Sequence, residues 1–123
     1  MAWQQGPGQG SLNLMEYVTL EKRRRFDEAK MQKVPLFDSD RLTFDQYCLL
    51  PGQAQKVHTH DRQDKVYLVL EGEALFEVDG ESELLTTGTA VIARAGVPHG
   101  VRNDSDSHLV LLVTMAPPPS SGP

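Results

Sequence analysis

The 123-residue sequence has few of the features that mark secreted or membrane-embedded proteins. It contains a single cysteine, Cys48, so no disulfide can form within the chain, and a reducing compartment fits. Apolar neighbours favour a core role for Cys48 over a nucleophilic one. No apolar run approaches the roughly 20 residues that span a bilayer, and the first ten residues have no apolar signal segment. We therefore expect a cytoplasmic protein with no membrane partner.

Positive charge is also scarce, since the net charge is -5 at pH 7. The one basic cluster, residues 22–25, is followed at once by Asp27 and Glu28. Such a mixed stretch is better explained as a solvated surface than as a phosphate-binding patch. We expect no nucleic-acid partner.

The chain is long enough for one buried core but not for two. Residues 1–10 and 116–123 are rich in Gln, Gly, Pro or Ser and are predicted to be flexible tails. Residues 11–40 are predicted to form an N-terminal arm, extended over residues 12–20 and with a helical turn over residues 27–31. Residues 41–115 contain short extended runs separated by turn residues, which predicts an all-β sandwich or barrel.

The first of these runs, residues 41–50, alternates between apolar and polar residues. Its even positions Leu42, Phe44, Cys48 and Leu50 are apolar, so they are predicted to face inward. Gln46 is the polar member of that face. A buried amide needs a partner, so Gln46 is a candidate for contact with a water or a ligand in a pocket.

Other runs predict a hairpin and a subunit contact. Asp79-Gly80 separates two extended runs and is typical of a two-residue type I′ turn. Residues 66–70 and 109–113 are apolar on both faces, so each should be covered on both sides, by the second sheet or by another subunit. This pattern leads us to expect a homodimer.

Three of the four histidines form a candidate metal site. His58 and His60 are two residues apart on an extended run, so their side chains point to the same face. His99 follows later, in a turn-rich segment. Since imidazole is the commonest metal ligand in proteins, a small barrel could gather the three at one site.

These histidines and the glycines around them resemble the two motifs of the cupin family. The first motif, G-x5-H-x-H-x3-4-E-x6-G, is matched by Gly52, His58, His60 and Gly72. The second, G-x5-P-x-G-x2-H-x3-N, is matched by Gly88, Gly96, His99 and Asn103. Every spacing fits. Two positions differ, because Lys65 replaces the glutamate of the first motif and Arg94 the proline of the second.

The resemblance implies a single jelly-roll β-barrel with a metal ion inside it. The implied ligands are His58, His60 and His99. Neutral imidazoles suit a divalent transition metal such as iron, manganese, nickel, copper or zinc, and open coordination positions admit water or substrate. The reactions that the resemblance implies include oxygenation, isomerisation and decarboxylation, and the residues do not choose among them.

Lys65 changes these expectations, because its ammonium group would repel a divalent cation. Either the metal binds weakly or not at all, or the lysine is turned away. Facing inward, Lys65 could hold an anionic substrate, stabilise an enolate or act as a base. As a structural residue, it would pack its stem on the barrel wall. Asp64 could replace the missing carboxylate only if the strand is bulged.

Tyr67 is a further candidate because it has the same strand parity as Lys65. Its hydroxyl could complete a pocket, although an aromatic residue there is more often part of the core.

Two functions follow for the whole chain. One is a cupin whose three-histidine pocket binds or transforms a small organic anion. The other is a metal-free, non-catalytic cupin that binds a small ligand or acts as a dimeric partner.

Overall fold

The structure, a computed structural model, describes residues 15–119 and is almost entirely β. The tail predicted over residues 1–10 lies outside this range, as do residues 120–123. The strands are β1 (Gln32–Asp38), β2 (Thr43–Leu49), β3 (Ala54–His58), β4 (Asp64–Glu71), β5 (Glu73–Val78), β6 (Glu81–Thr86), β7 (Ala90–Ala93), β8 (His99–Arg102) and β9 (Leu109–Ala116). The all-β prediction is confirmed.

The strands form two antiparallel sheets whose inner faces enclose one core. The five-stranded sheet has the order β1-β2-β9-β4-β7, and the four-stranded sheet has the order β3-β8-β5-β6. Side chains from both sheets make up the core: Tyr47, Leu49, Tyr67, Val69, Ala74, Phe76, Val101, Leu109, Leu111 and Val113. This arrangement confirms the predicted jelly-roll barrel.

The hairpin between β5 and β6 forms as predicted. Asp79 and Gly80 have φ angles of 53° and 83°, and Val78 pairs with Glu81. A type I′ turn needs positive φ at both central residues, which glycine adopts freely and aspartate tolerates. The turn therefore fixes the register of the whole hairpin.

The segment before β1 lies against the outer face of the five-stranded sheet. It contains the 3-10 helix Leu20–Arg23, in a region predicted to be extended up to residue 20. Residues 27–31 form no helix and instead make a turn in which the Asp27 carboxylate accepts a hydrogen bond from the Ala29 N–H, at 2.7 Å. A single 3-10 turn has no repeating apolar face, so sequence periodicity could not reveal it.

This covering segment explains why the predicted inward face of β2 is wrong. The odd positions Tyr47 and Leu49 join the core, whereas Gln46 and Cys48 are buried on the outer face, beneath the N-terminal segment. A strand that is covered on both sides is apolar on both sides, so alternation cannot identify its inner face. Cys48 is a buried residue with no exposed surface, and burial raises the pKa of its thiol.

Strand β1 lies inside the range predicted as an arm and forms the edge of the five-stranded sheet beside β2. The division into an arm over residues 11–40 and a barrel over residues 41–115 stays a prediction. Within residues 15–119, no helix is long and apolar enough to cross a membrane.

Candidate functional site

Three histidines meet at the point where β3 and β8 pair. His58 ends β3 and lies opposite His99, the first residue of β8, and His60 follows two residues later. One ring nitrogen from each histidine lies within 4.8 Å of those of the other two. The ring centroids of His58 and His99 are 4.4 Å apart, and those of His58 and His60 are 4.8 Å apart. The three residues that the motifs indicated therefore converge.

A β-bulge in β3 aims two of its side chains into the barrel. Gln55 pairs with Val101 and His58 with His99, so three steps along β3 match two steps along β8. In a regular strand, residues three apart face opposite sides, and the extra residue reverses that parity. Gly100 allows this close approach, because a Cβ there would lie 2.9 Å from the Gln55 carbonyl oxygen. The bulge places Gln55 and His58 on the same inner wall.

Backbone carbonyls fix the tautomers of two histidines. The Nδ1 atom of His58 lies 2.8 Å from the Lys56 carbonyl oxygen, and that of His99 lies 2.9 Å from the Val97 carbonyl oxygen. A carbonyl only accepts hydrogen bonds, so each Nδ1 must carry the proton. The lone pair is then on Nε2 in both rings, the arrangement that metal-binding histidines commonly show.

The electrostatic environment keeps the imidazoles neutral. Burial, followed by the positive charge of Lys65, lowers the pKa of His60 to about 4. Burial also lowers the pKa values of His58 and His99, against the opposing effect of their backbone hydrogen bonds. A neutral imidazole can offer a lone pair to a metal, whereas an imidazolium cannot.

These residues fit a divalent transition metal. His99 is only 2% exposed, and its Nε2 is a buried polar atom without a hydrogen-bond partner among the described residues. Leaving such an atom unsatisfied costs free energy, and a metal ion would satisfy it. Three imidazoles with further positions open suit the ions that bind nitrogen ligands, although the anionic fourth ligand is missing.

Lys65, in place of that anion, points into the barrel and is 1% exposed. Its Nζ lies 5.2 Å from the ring centroid of Tyr47 and 5.0 Å from that of Tyr67. It lines a cavity of about 410 Å³ together with His58 and His60. Of the two orientations considered for this lysine, the structure therefore shows the inward one.

Gln55 lies on the same inner wall as His58, and its side chain contacts Lys65 and a second lysine, Lys33. With its amide nitrogen donating to the Tyr67 hydroxyl at 2.7 Å, its oxygen accepts from Lys33 Nζ and Lys65 Nζ, each at 3.2 Å. The opposite amide orientation would aim an N–H group at two ammonium groups, which can only donate. We therefore assign the oxygen to the lysine side.

The charge balance around Lys65 is unfavourable for an ammonium group. Burial first, and the neighbouring Lys33 ammonium second, lower the pKa of Lys65 to about 7, while the Asp45 carboxylate acts in the opposite direction. Desolvation disfavours the charged form of any amine. Near neutral pH, Lys65 is therefore divided between its charged and neutral forms.

Of the other residues considered for the site, Tyr67 points into the barrel and Asp64 does not. Tyr67 lies on the same inner face as Lys65, 1% exposed, with its hydroxyl bonded to Gln55. Asp64 is exposed, and its carboxylate accepts a hydrogen bond from the Ala95 N–H at 2.8 Å, so it does not replace the missing ligand.

The prediction that Gln46 lines the pocket is wrong. Gln46 lies on the outer face, donates to the Leu20 carbonyl at 2.9 Å and accepts from Arg24 Nε at 3.4 Å. Its buried amide is satisfied by the N-terminal segment, not by a ligand.

The cavity residues that sequence reasoning missed include Lys33, Asp45, Tyr47 and Gln55. Lys33 lies in the segment predicted as an arm, and Asp45 and Tyr47 lie on the face of β2 that was assigned to the exterior. Gln55 enters the barrel only through the bulge. Its position shortly before His58 was the one signal in the sequence. The alternation of side-chain faces along a strand is interrupted at a bulge, so it could not show that Gln55 points inward.

Comparison with known proteins agrees with this fold. The family described as the cupin domain matches residues 46–115. The structure of TT1209 from Thermus thermophilus is 52% identical, with a TM-score of 0.82 over 84% of this chain and 98% of that one. An RmlC-like cupin protein from Desulfovibrio desulfuricans is 31% identical, with a TM-score of 0.76 over 85% and 99% of the two chains.

A more distant structure, KdgF from Halomonas sp., is 22% identical, with a TM-score of 0.73 over 86% of this chain and 96% of that one, and shares the fold. The comparison with curated proteins found no match. The family match covers more than half of the chain, including all three histidines and Lys65. The chain therefore belongs to the cupin family.

Proposed function

We propose that this cupin holds a divalent transition metal at His58, His60 and His99, and that its cavity binds or transforms a small organic anion. One observation carries the proposal: neutral imidazoles and two lysine side chains, Lys33 and Lys65, line the same cavity. The imidazoles suit a metal, and the lysines suit a negatively charged ligand.

When bound, iron, manganese, nickel, copper or zinc would supply a Lewis acid that polarises an oxygen of the ligand. The chain's own groups would do the rest. Lys33 and Lys65 offset the ligand's negative charge, and the rings of Tyr47 and Tyr67 keep water away from Lys65. A cation in place of the usual carboxylate lowers metal affinity, so an anionic ligand and the metal should each strengthen the binding of the other.

The second candidate is a metal-free cupin that binds a small anion without catalysis. The observation that favours it is the positive charge of the cavity wall, since Lys65 stands in the position of a metal-binding glutamate. In that case the histidines form an uncharged wall, and the ligand binds to the two lysines.

Metal analysis separates the two candidates. Protein purified without a histidine tag is analysed for its elements and then titrated with Fe(II), Mn(II), Ni(II) and Zn(II) by calorimetry. We expect one ion per chain, bound more tightly than about 1 mM, which corresponds to about 4 kcal/mol. If every ion binds more weakly while circular dichroism shows an intact β fold, the metal-dependent function is refuted.

We also propose that the protein forms a homodimer through the outer face of the five-stranded sheet. There Val66, Leu68 and Leu112 are only half-buried, and Ile92 is 38% exposed. A contiguous apolar face of this kind favours contact with a second copy. Light scattering at micromolar concentration should give the mass of a dimer, and a monomer would refute the proposal.

A further inference from the structure

We propose that the side-chain amine of Lys65 condenses with the carbonyl group of a small 2-oxo acid to form an imine. The inference rests on the anion-binding part of the proposed function, but it needs no metal. The cavity would then have two distinct reactive parts, a histidine cluster and a nucleophilic amine.

The first support is that Lys65 is buried and forms no ion pair, although the Asp45 carboxylate lines the same cavity and partly offsets its charge. The ion pairs among residues 15–119 are Arg24–Glu71 and Arg102–Asp104, and neither involves Lys65. The remaining residues, 1–14 and 120–123, contain no Asp or Glu side chain. A fully buried ammonium without a carboxylate partner is costly, so the neutral amine is favoured.

The second support is that Lys65 shares a hydrogen-bond acceptor, the Gln55 amide oxygen, with another lysine. Lys33 Nζ and Lys65 Nζ both lie 3.2 Å from the oxygen of the Gln55 amide. Two ammonium groups on one neutral acceptor repel each other, and loss of one proton removes the repulsion. Lys33 is on the exposed side of the pair, so the buried partner, Lys65, is the one that loses its proton.

The aromatic walls do not reverse this preference. Cation–π contacts with Tyr47 and Tyr67 favour the ammonium form, but each is weaker than the effective cost of burying one ion. The pKa of Lys65, lowered to about 7, agrees with this balance. A desolvated lysine next to another cationic group is the usual form of a lysine that attacks carbonyl carbons.

The cavity also selects the kind of carbonyl compound. Its volume of about 410 Å³ admits a ligand of a few carbon atoms. The exposed ammonium group of Lys33 lies beside Lys65 and can bind a carboxylate on the ligand. A carboxylate adjacent to a ketone or aldehyde, as in a 2-oxo acid, places the carbonyl carbon next to the neutral amine.

The reaction balances without any redox partner. The Nζ lone pair of Lys65 attacks the carbonyl carbon, the carbonyl π bond breaks, and a proton moves from nitrogen to oxygen to give a carbinolamine. The hydroxyl group then leaves as water with the second amine proton, and the C=N bond forms. One amine and one carbonyl compound thus give one imine and one water.

Trapping with pyruvate and sodium cyanoborohydride tests the inference. The chelator-treated full chain is incubated at pH 7.5, and the reduced adduct, in which hydride has added to the imine carbon, is located by peptide mass spectrometry. We expect at least tenfold more adduct on Lys65 than on any of the other four lysines, Lys22, Lys30, Lys33 and Lys56. Hydroxyacetone, which lacks the carboxylate, should label Lys65 more slowly.

Matched variants complete the experiment. Lys33→Gln should slow labelling of Lys65 at pH 7.5 and shift its pH midpoint upward, because the repelling charge is gone. Lys30→Arg, an exposed site away from the cavity, should change nothing. Because the site assignment is made in the unaltered chain, it does not depend on a variant that folds.

Labelling confined to the exposed lysines would overturn the inference. Calorimetric titration of pyruvate without reductant then shows which proposal has failed. If pyruvate binds without an adduct on Lys65, imine formation is wrong and the anion-binding function stands. If pyruvate neither binds nor labels, the result counts against both.

Discussion

The two walls of the cavity come from different sheets and have opposite chemistry. The four-stranded sheet supplies His58, with His60 just beyond β3 and His99 paired with His58 on β8, and burial favours the neutral form of all three imidazoles. The five-stranded sheet supplies Lys33 on β1 and Lys65 on β4. The comparison teaches that a family motif can keep its metal-ligand half while its fourth position changes from negative to positive. Each half can be altered separately, which makes the division testable.

The largest effect should come from the histidine wall. His99→Gln removes a proposed ligand and should weaken Zn(II) binding by at least about 100-fold, since even outer-shell changes at metal sites cost about 10- to 100-fold. Calorimetric titration measures the change. His108→Gln is the matched control, because His108 is exposed and stacks on Phe26 away from the cavity. Equal affinities in the two variants would mean that His99 is not a ligand.

On the lysine wall, formed by Lys33 and Lys65, the titration of Lys65 should make the free energy of unfolding depend on pH. The pKa of Lys65 is 10.5 in the unfolded chain and about 7 in the folded one. Between these pH values the unfolded chain binds more protons, so the free energy of unfolding rises with pH, by at most about 1.4 kcal/mol per unit. Below about pH 7 the free energy of unfolding no longer depends on pH through Lys65, because the amine is charged in both the folded and the unfolded chain.

The variant Lys65→Met isolates the effect of Lys65 on the free energy of unfolding. At pH 7 the variant should be about 1–4 kcal/mol more stable than the wild type, because an unpaired buried charge is replaced by an apolar side chain. The difference should shrink from pH 7 to pH 9.5, a range below the ordinary pKa of tyrosine. Urea unfolding of metal-free protein measures it. A difference that does not change with pH would show that Lys65 titrates normally.

The smallest effect should come from a residue that belongs to neither wall. Gln46→Ala removes the hydrogen bonds to Leu20 and Arg24 on the outer face. We expect a loss of about 1–3 kcal/mol in the free energy of unfolding and no change in Zn(II) affinity. A change in metal affinity would contradict the assignment of Gln46 to the outer face.

The sequence allowed prediction of the barrel and of the histidine wall, because both depend on local spacing. The His58 and His60 pair, the glycine positions and the Asp79-Gly80 turn each have a physical consequence that is independent of distant residues. The lysine wall depends on long-range contacts. Lys33 reaches Lys65 only because β1 adds to the edge of the sheet, and Gln55 reaches both through a bulge. The error at Gln46 has the same origin, since the N-terminal segment that covers it is remote in sequence.

The central claim is that the Lys65 amine, only partly charged at pH 7, faces the histidine site in the place of an anionic ligand. The most direct test is the Zn(II) affinity of the wild type, Lys65→Met and Lys65→Glu, measured by calorimetry under identical conditions at pH 7. We predict that affinity rises in that order, with a total gain of at least about tenfold, because the first change removes a cation and the second adds an anion near the metal. Equal affinities in all three folded proteins would contradict the claim.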